Sequence, residues 1–374
     1  LIPYILFHPV KKLSSSSGQK TTHIMQNSEY PAEAFLGEPY VDPREAEPHG
    51  LVWVVGTWNG LGREVGAFFQ SCGALVSYAP CAEEDIAALC VFGKGLNRLS
   101  LILYCGAVFD PDYREAQPGE LRRRMIELPL SLGALAAEKH ARFVVIFPAQ
   151  VFSGQLKSRG YSETYRTNPV NDLGRIQLEA EAMLRAVCPD AFIIRTSWLF
   201  GDLPNSFESS WLCAALNRSL ETGKQVTVPE AKAEIVSPIY TKNLARALLD
   251  VAILDSYPST RLFPLAPWLP PRPGGIYHYA DLGEASLAEF ARAWYALAKR
   301  QNPTFKVVRV IERSASSFPN RVPRPPRLVL AAQRLTKSFT VIRRQPWQEA
   351  LYEYGMAHLP VSKPVKQDCT KMHR

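Results

Sequence analysis

Leu51-Val52-Trp53-Val54-Val55, followed at once by Gly56-Thr57-Trp58-Asn59-Gly60-Leu61-Gly62, constrains the fold of this chain more than any other stretch. Five apolar residues without alternation read as a strand buried on both faces, as a parallel sheet requires. Glycines then allow a tight turn into a helix, Leu61 to Ser71, where Leu61, Val65 and Phe68/Phe69 recur at helical spacing. In that strand–turn–helix order a diphosphate sits on the helix N-terminus. The glycines are spaced G-x-x-x-G-x-G; against G-x-x-G-x-x-G, Asn59 replaces the middle one. Asparagine tolerates left-handed backbone but brings a side chain toward the phosphates. Gly56, Asn59, Gly60 and Gly62 are therefore the candidate residues for holding a dinucleotide, NADP or NAD. After the next strand the grip on an adenosine is poor. Ala79-Pro80-Cys81 offers no Asp, Glu or Arg, and Glu83 and Glu84 fall on the following helix.

Further apolar runs alternate with helical stretches. Residues 74–78, 100–105, 143–147 and 191–195 read as strands, with helices around 120–139 and over 173–187. The expected fold is α/β: a Rossmann-type, doubly wound parallel sheet. Beyond residue 200 the rhythm loosens into a smaller C-terminal α/β lobe. It has helices around 207–222, 241–254 and 284–300, and strands at 234–236, 276–279 and 307–311. The five prolines between Pro264 and Pro273 mark a rigid loop. The boundaries follow as an irregular extension over 1–49, a Rossmann-like domain over 50–200 and the lobe over 201–355. Within the lobe, 234–255 is expected to return to the first domain, and 356–374 forms a basic tail.

Charge is unevenly placed. From Arg292 to Arg374 there are 17 Lys+Arg against 4 Asp+Glu, a local balance of +13 within a chain whose net charge is +8. Such asymmetry points to a polyanionic partner, ribosomal RNA or an acidic protein surface. Arg321, Arg324, Arg327, Arg343 and Arg344 are the candidate contacts, since arginine clamps phosphate well. No nucleic-acid module is recognisable, so such contact would be to the RNA backbone. The first 28 residues lack Asp and Glu and contain Ser14-Ser15-Ser16-Ser17, the character of a mitochondrial transit region. The localisation expected is mitochondrial, otherwise cytoplasmic. Seven dispersed cysteines form no C-x-x-C pair and predict no metal site. No apolar run reaches the length of a membrane span.

Several motifs carry a resemblance. These are Ile194-Arg195-Thr196-Ser197-Trp198-Leu199-Phe200, Val151-Phe152-Ser153-Gly154, the Pro-x-Asn of 169–171, Gly275-Ile276-Tyr277-His278, and Arg324-Pro325-Pro326 with Trp347. Together they resemble the extended short-chain dehydrogenase/reductases. The likeness is to the dTDP-4-dehydrorhamnose reductase branch, which includes the regulatory beta subunit of methionine adenosyltransferase. The resemblance implies a Tyr-x-x-x-Lys pair in Pro169–Glu181, where the Tyr exchanges the proton and the Lys lowers its pKa and holds the nicotinamide ribose. Leu173 and Gln177 stand at those positions. Pro148 and Ala149 stand where the family has Ser/Thr, and Tyr104-Cys105-Gly106 where it has Asn-Ala-Ala. The one literal Tyr-x-x-x-Lys, Tyr295 to Lys299, lies on a late amphipathic helix and reads as core plus surface lysine.

The expectation is a non-catalytic member of this family, a pseudoenzyme with no catalytic residue and no required cofactor. It would serve as a structural or accessory protein subunit of a large mitochondrial assembly, a ribosome or a respiratory complex. Two alternatives stand beside it. One is an NAD(P)-sensing regulatory subunit of a metabolic enzyme. The other is an active NAD(P)-dependent sugar-nucleotide reductase with a relocated acid, for which Tyr161 or Tyr165 would supply the phenol.

Overall fold

The computed structural model describes residues 50–359, apart from 59, 80–84, 111, 113–117, 158, 204–207, 231–233, 255–271, 307 and 319–321. Asn59, Glu83, Glu84, most of the proline loop, Arg321, the extension and most of the basic tail fall outside the described residues.

Six parallel strands make the main sheet: β1 (Leu51–Val55), β2 (Leu75–Tyr78), β3 (Leu99–Tyr104), β4 (Arg142–Pro148), β5 (Phe192–Thr196) and β10 (Gly275–Tyr279). Their order is β10-β5-β4-β3-β1-β2, and every neighbouring pair is parallel. β1, β3, β4 and β5 are buried along their whole length, which is why their sequences are continuous apolar runs. Each such Leu, Ile, Val or Phe contributes about 1.5–3 kcal/mol over its exposed state. The crossovers are helices: α1 (Leu61–Ser71), α2 (Ile86–Gly95), α3 and α4 (Asp172–Val187). α3 is continuous through Pro118–Arg122, a π turn at Arg123–Glu127, and Leu128–Glu138. The chain is therefore doubly wound and Rossmann-like.

Past β6 (Trp198–Phe200) come α5 (Glu208–Thr222), β7 (Val226–Pro229), β8 (Ile235–Val236), β9 (Pro238–Tyr240) and α6 (Thr241–Leu254). After β10 follow β11 (Ala285–Ser286), α7 (Leu287–Gln301), β12 (Val310–Arg313), β13 (Arg327–Leu328), α8 (Gln333–Ser338) and α9 (Trp347–His358). Most of these build a second core rich in aromatic rings. Phe290 lies 4.8 Å from Trp198 and 5.2 Å from Phe200, centroid to centroid. Leu244, Leu248 and Val251 of α6 join the first core, as do Tyr277 and Tyr279 of β10. Val236 and Tyr240 stay with the second. The strand expected from Val307 begins at Val310, because α7 runs on to Gln301 and a turn closed by Phe305 N–H on the Asn302 carbonyl follows it.

Candidate functional site

The strand order reverses between β1 and β3, so the loops leaving their C-terminal ends bank the crevice where open α/β sheets bind ligands. The two loops touch. Gly56 has φ 100°, and a Cβ built on it would lie 2.0 Å from Gly106 N. Only glycine satisfies both conditions. A Cβ on Gly62 would come 2.6 Å from the Gly56 carbonyl, so that glycine keeps α1 close against the turn. Gly60, at φ 82°, is the N-cap of α1 and supplies no side-chain cap. The positive end of the α1 helix dipole therefore lies at this turn.

Trp58 spans the same banks, its indole N–H donating to the Gly106 carbonyl at 3.3 Å. The Arg124 guanidinium lies 4.1 Å over its ring, and Tyr104 donates its hydroxyl to the Arg124 carbonyl at 2.7 Å. Tyr104 stands where the family frame has asparagine. Its ring and the α3 backbone are thus packed behind the loop that meets the dinucleotide in that frame.

The family frame places the proton relay on α4. Asn171 caps this helix by accepting from Gly174 N–H at 2.9 Å, and its amide donates to Gln150 Oε1 at 3.1 Å and the Pro323 carbonyl at 3.0 Å. Gly174 leaves room for the Gln150 carbonyl, which would lie 2.1 Å from a Cβ there. So anchored, α4 buries the two positions where the resemblance led us to expect the relay: Leu173 is 1% exposed and Gln177 fully buried. Gln177 donates to Glu181 at 2.8 Å, and Glu181 holds Arg195 through bonds of 2.9 and 2.5 Å. Arg195 reaches His278 Nε2 at 3.5 Å, while His278 Nδ1 lies 3.0 Å from the Tyr161 carbonyl. Burial, and then the Arg195 charge, push His278 down to about 3. The imidazole is neutral, donates from Nδ1 and presents a bare Nε2 to the guanidinium. The Gln177 side chain thus ends a buried chain of hydrogen bonds.

A solvent-open crevice lies beside these residues, between the ends of β4 and β5 and the second lobe. Pro148 and Ala149 form its floor, and Gln150, Thr196, Ser197, Glu234 and Arg324 supply its polar lining. Thr196 donates to the Phe147 carbonyl at 3.3 Å, and Ser197 donates to the Leu328 carbonyl at 2.7 Å while accepting from Ser237 N–H. The lining can orient a hydroxyl-bearing ligand. It contains neither a phenol nor an amine.

The relocated phenols are elsewhere. Tyr161 is 1% exposed, stacked on Phe152 at 4.2 Å, and its hydroxyl accepts from Leu156 N–H. Tyr165 packs edge-on to Tyr161 and is half exposed. Neither lines the crevice described above. Tyr295 meets the Ser219 hydroxyl at 2.5 Å, and Lys299 donates to the carbonyls of Pro303 and Phe305.

Three of the candidate phosphate-facing arginines are turned inward, a correction. Arg324 is clamped by Asp112 at 2.8 Å and Asp110 at 3.0 Å. Arg327 binds Glu284 and the carbonyls of Leu156 and Arg159, and Arg344 binds those of Ala280 and Asp281. Burial explains this: each closes a contact between segments far apart in sequence. Arg343 is exposed. The Asp110–Asp112–Arg324 clamp and the Trp58–Gly106 bridge escaped the sequence reading, since the first joins residues more than 200 positions apart. Among the described residues no three His, Cys, Asp or Glu side chains are grouped to hold a metal, and no helix is long and apolar enough to cross a membrane.

Comparison with known proteins assigns the family. The spore coat polysaccharide biosynthesis protein SpsK of Bacillus subtilis is 29% identical over 214 residues, 57% of this chain and 64% of that protein. The dTDP-4-dehydrorhamnose reductase of Mycolicibacterium smegmatis is 27% identical over 253 residues, 68% of this chain and 69% of that enzyme. The Bacillus anthracis dTDP-4-dehydrorhamnose reductase, solved in complex with NADP, superposes with a TM-score of 0.68 at 20% identity, covering 83% of this chain and 99% of that one. Residues 51–358 match the model of the RmlD substrate binding domain, and the chain belongs to that family of extended short-chain, sugar-nucleotide-reductase-like proteins.

Proposed function

We propose that this chain binds NAD(P) at the Gly56–Gly62 loop and a hydroxyl-bearing ligand in the adjoining crevice, without reducing it, and so acts as a dinucleotide-responsive regulatory subunit. The observation that carries the reading is the fate of the relay positions: Leu173 and Gln177 are sealed in the core, with Gln177 committed to Glu181. The pyrophosphate half of a dinucleotide fits what is present. Gly60, the N-cap of α1, brings no side chain to the turn, and the missing Cβ atoms of Gly56 and Gly62 let the turn close. Gly56, Gly60 and Gly62 would hold it, and the bound nicotinamide supplies hydride chemistry in reductases of this family. On this chain's side, Thr196, Ser197 and Glu234 orient the second ligand, and Arg324 ties the loop after β3 to the crevice rim. Nothing in the lining donates a proton as a phenol would.

The test titrates the full chain with NADPH and NADH by fluorescence and then assays dTDP-4-dehydrorhamnose reduction by loss of NADPH absorbance. Binding without turnover is expected. Turnover at a rate typical of enzymes, about 1 per second or faster, overturns the reading.

A second reading, a structural subunit of a large mitochondrial assembly, draws on the cationic stretch after Arg292. There Arg300, Lys306, Arg309, Arg313 and Arg343 are exposed. Sedimentation from a mild lysate, with and without ribonuclease, tests it. A fast pool is expected, and migration as a free monomer or dimer removes this second reading.

A further inference from the structure

The turn after β1 holds two opposed features. Gly56, Gly60 and Gly62 clear side chains from the place where a diphosphate approaches, and between them stands Trp58, with the largest side chain of any amino acid. The indole is half-buried, and its N–H donates to the Gly106 carbonyl at 3.3 Å. Trp58 follows β1 and Gly106 follows β3, the two strands at which the sheet order reverses. A side chain bonded from one to the other lies across the crevice mouth and not along its wall.

The face of the ring is held as well. The Arg124 guanidinium lies 4.1 Å from its centre, in range of a cation–π attraction. Arg124 is 6% exposed and paired with Glu120, one turn back on α3. It sits in the π turn of α3, Arg123–Glu127, a local break in helical winding of the kind that gathers at functional sites. Tyr104, the last residue of β3, donates to the Arg124 carbonyl at 2.7 Å, and Val108 N–H donates to Met125 Sδ at 3.4 Å. The π turn is thus fastened to the chain on both sides of Gly106, so the two groups that hold the indole are fixed relative to each other.

A dinucleotide in a doubly wound sheet lies across the point of strand reversal, its diphosphate on the first turn and its two nucleoside halves to either side. The span from Trp58 to Gly106 crosses that path. We infer that Trp58 is a latch, closed over the crevice in this structure, that has to leave Gly106 and Arg124 before a dinucleotide is seated. The inference rests on the dinucleotide-binding reading above and adds to it a closed state. Because only the open fraction binds, apparent affinity is lowered by that fraction, and the chain responds to the dinucleotide only above a raised concentration threshold.

The experiment measures dissociation constants for NADH and adenosine monophosphate by calorimetry with the full chain and its Trp58→Ala and Trp58→Phe variants, each checked by thermal melting. Trp58→Ala is expected to bind NADH roughly 10- to 100-fold more tightly than wild type, the worth of one hydrogen bond and one cation–π contact that no longer have to be broken. Trp58→Phe keeps a ring beneath Arg124 without the N–H, so its gain should fall between the two. It also carries the test if the alanine variant melts early. Adenosine monophosphate, which has no second half to cross the latch, should bind all three alike. NADH binding by Trp58→Ala alone is the extreme form of the expected result. NADH binding by the variants that is equal to or weaker than wild type, or an equal gain for adenosine monophosphate, overturns the latch and leaves the dinucleotide reading standing. No NADH binding by any of the three proteins overturns both.

Discussion

Replacing Glu181 with glutamine should be among the most damaging conservative changes this chain can suffer. Glu181 and Arg195 are 3% and 2% exposed, joined by a pair of hydrogen bonds across α4 and β5. In Glu181→Gln the new side-chain amide would turn an N–H₂ donor toward the guanidinium it should accept from, and the buried positive charge would lose its counter-ion. The remaining neighbour, His278 Nε2 at 3.5 Å, is neutral. Removing one partner of a buried ion pair costs about 3–5 kcal/mol, a large share of the roughly 5–15 kcal/mol that holds a protein folded. With a urea slope of about 3 kcal/mol/M, the unfolding midpoint should fall by roughly 1 M or more. Tryptophan fluorescence reads that midpoint. The companion measurement is a double-mutant cycle with Glu181→Leu and Arg195→Met. Replacing both charges by apolar groups is often close to neutral, so the double variant should be more stable than Glu181→Leu alone. A Glu181→Gln variant within about 1 kcal/mol of wild type, or a double variant that loses the sum of the singles, refutes the argument that this pair anchors the buried network.

Three further outcomes follow from the same structure. Glu64 is raised to about 7, first by burial and then by the Asp202 carboxylate. The fold therefore favours its neutral form, and stability should be fully present below about 4.5, fall as pH rises to about 7 and flatten above. Glu64→Gln should remove roughly 3 kcal/mol of that slope in denaturation series run across pH, and an unchanged slope refutes it. Gly56→Ala forces a Cβ 2.0 Å from Gly106 N at φ 100°, so dinucleotide titration should show binding lost and thermal melting a destabilised fold. Ser286→Ala removes a capping box in which Ser286 and Glu289 satisfy each other's amides at the start of α7. Denaturation should register a loss of about 1 kcal/mol.

The sequence made the sheet legible because strands buried on both faces must be apolar throughout. Leu51–Val55, Phe143–Phe147 and Phe192–Ile194 could be little else. The glycine loop was legible for a backbone reason, since Gly56 and Gly60 adopt angles that side chains resist. Substitutions at Leu173 and Gln177 were visible because the surrounding Pro-x-Asn and the distant Arg-Thr-Ser-Trp fix the frame. The basic C-terminal third was readable as a count but misleading as a surface. Arg324, Arg327 and Arg344 look alike in sequence to Arg343, yet their partners come from elements up to 214 positions away.

What the sequence determined by itself is local. Periodicity set which segments are strands and helices, and glycine set where the chain turns. The tertiary structure decided everything that depends on two distant segments meeting. It placed Tyr161 in a ring stack outside the crevice, turned basic residues into internal clamps, and set Trp58 across to Gly106. The physical reason is that a hydrogen bond or an ion pair depends on distance in space and on desolvation, and a single chain states neither.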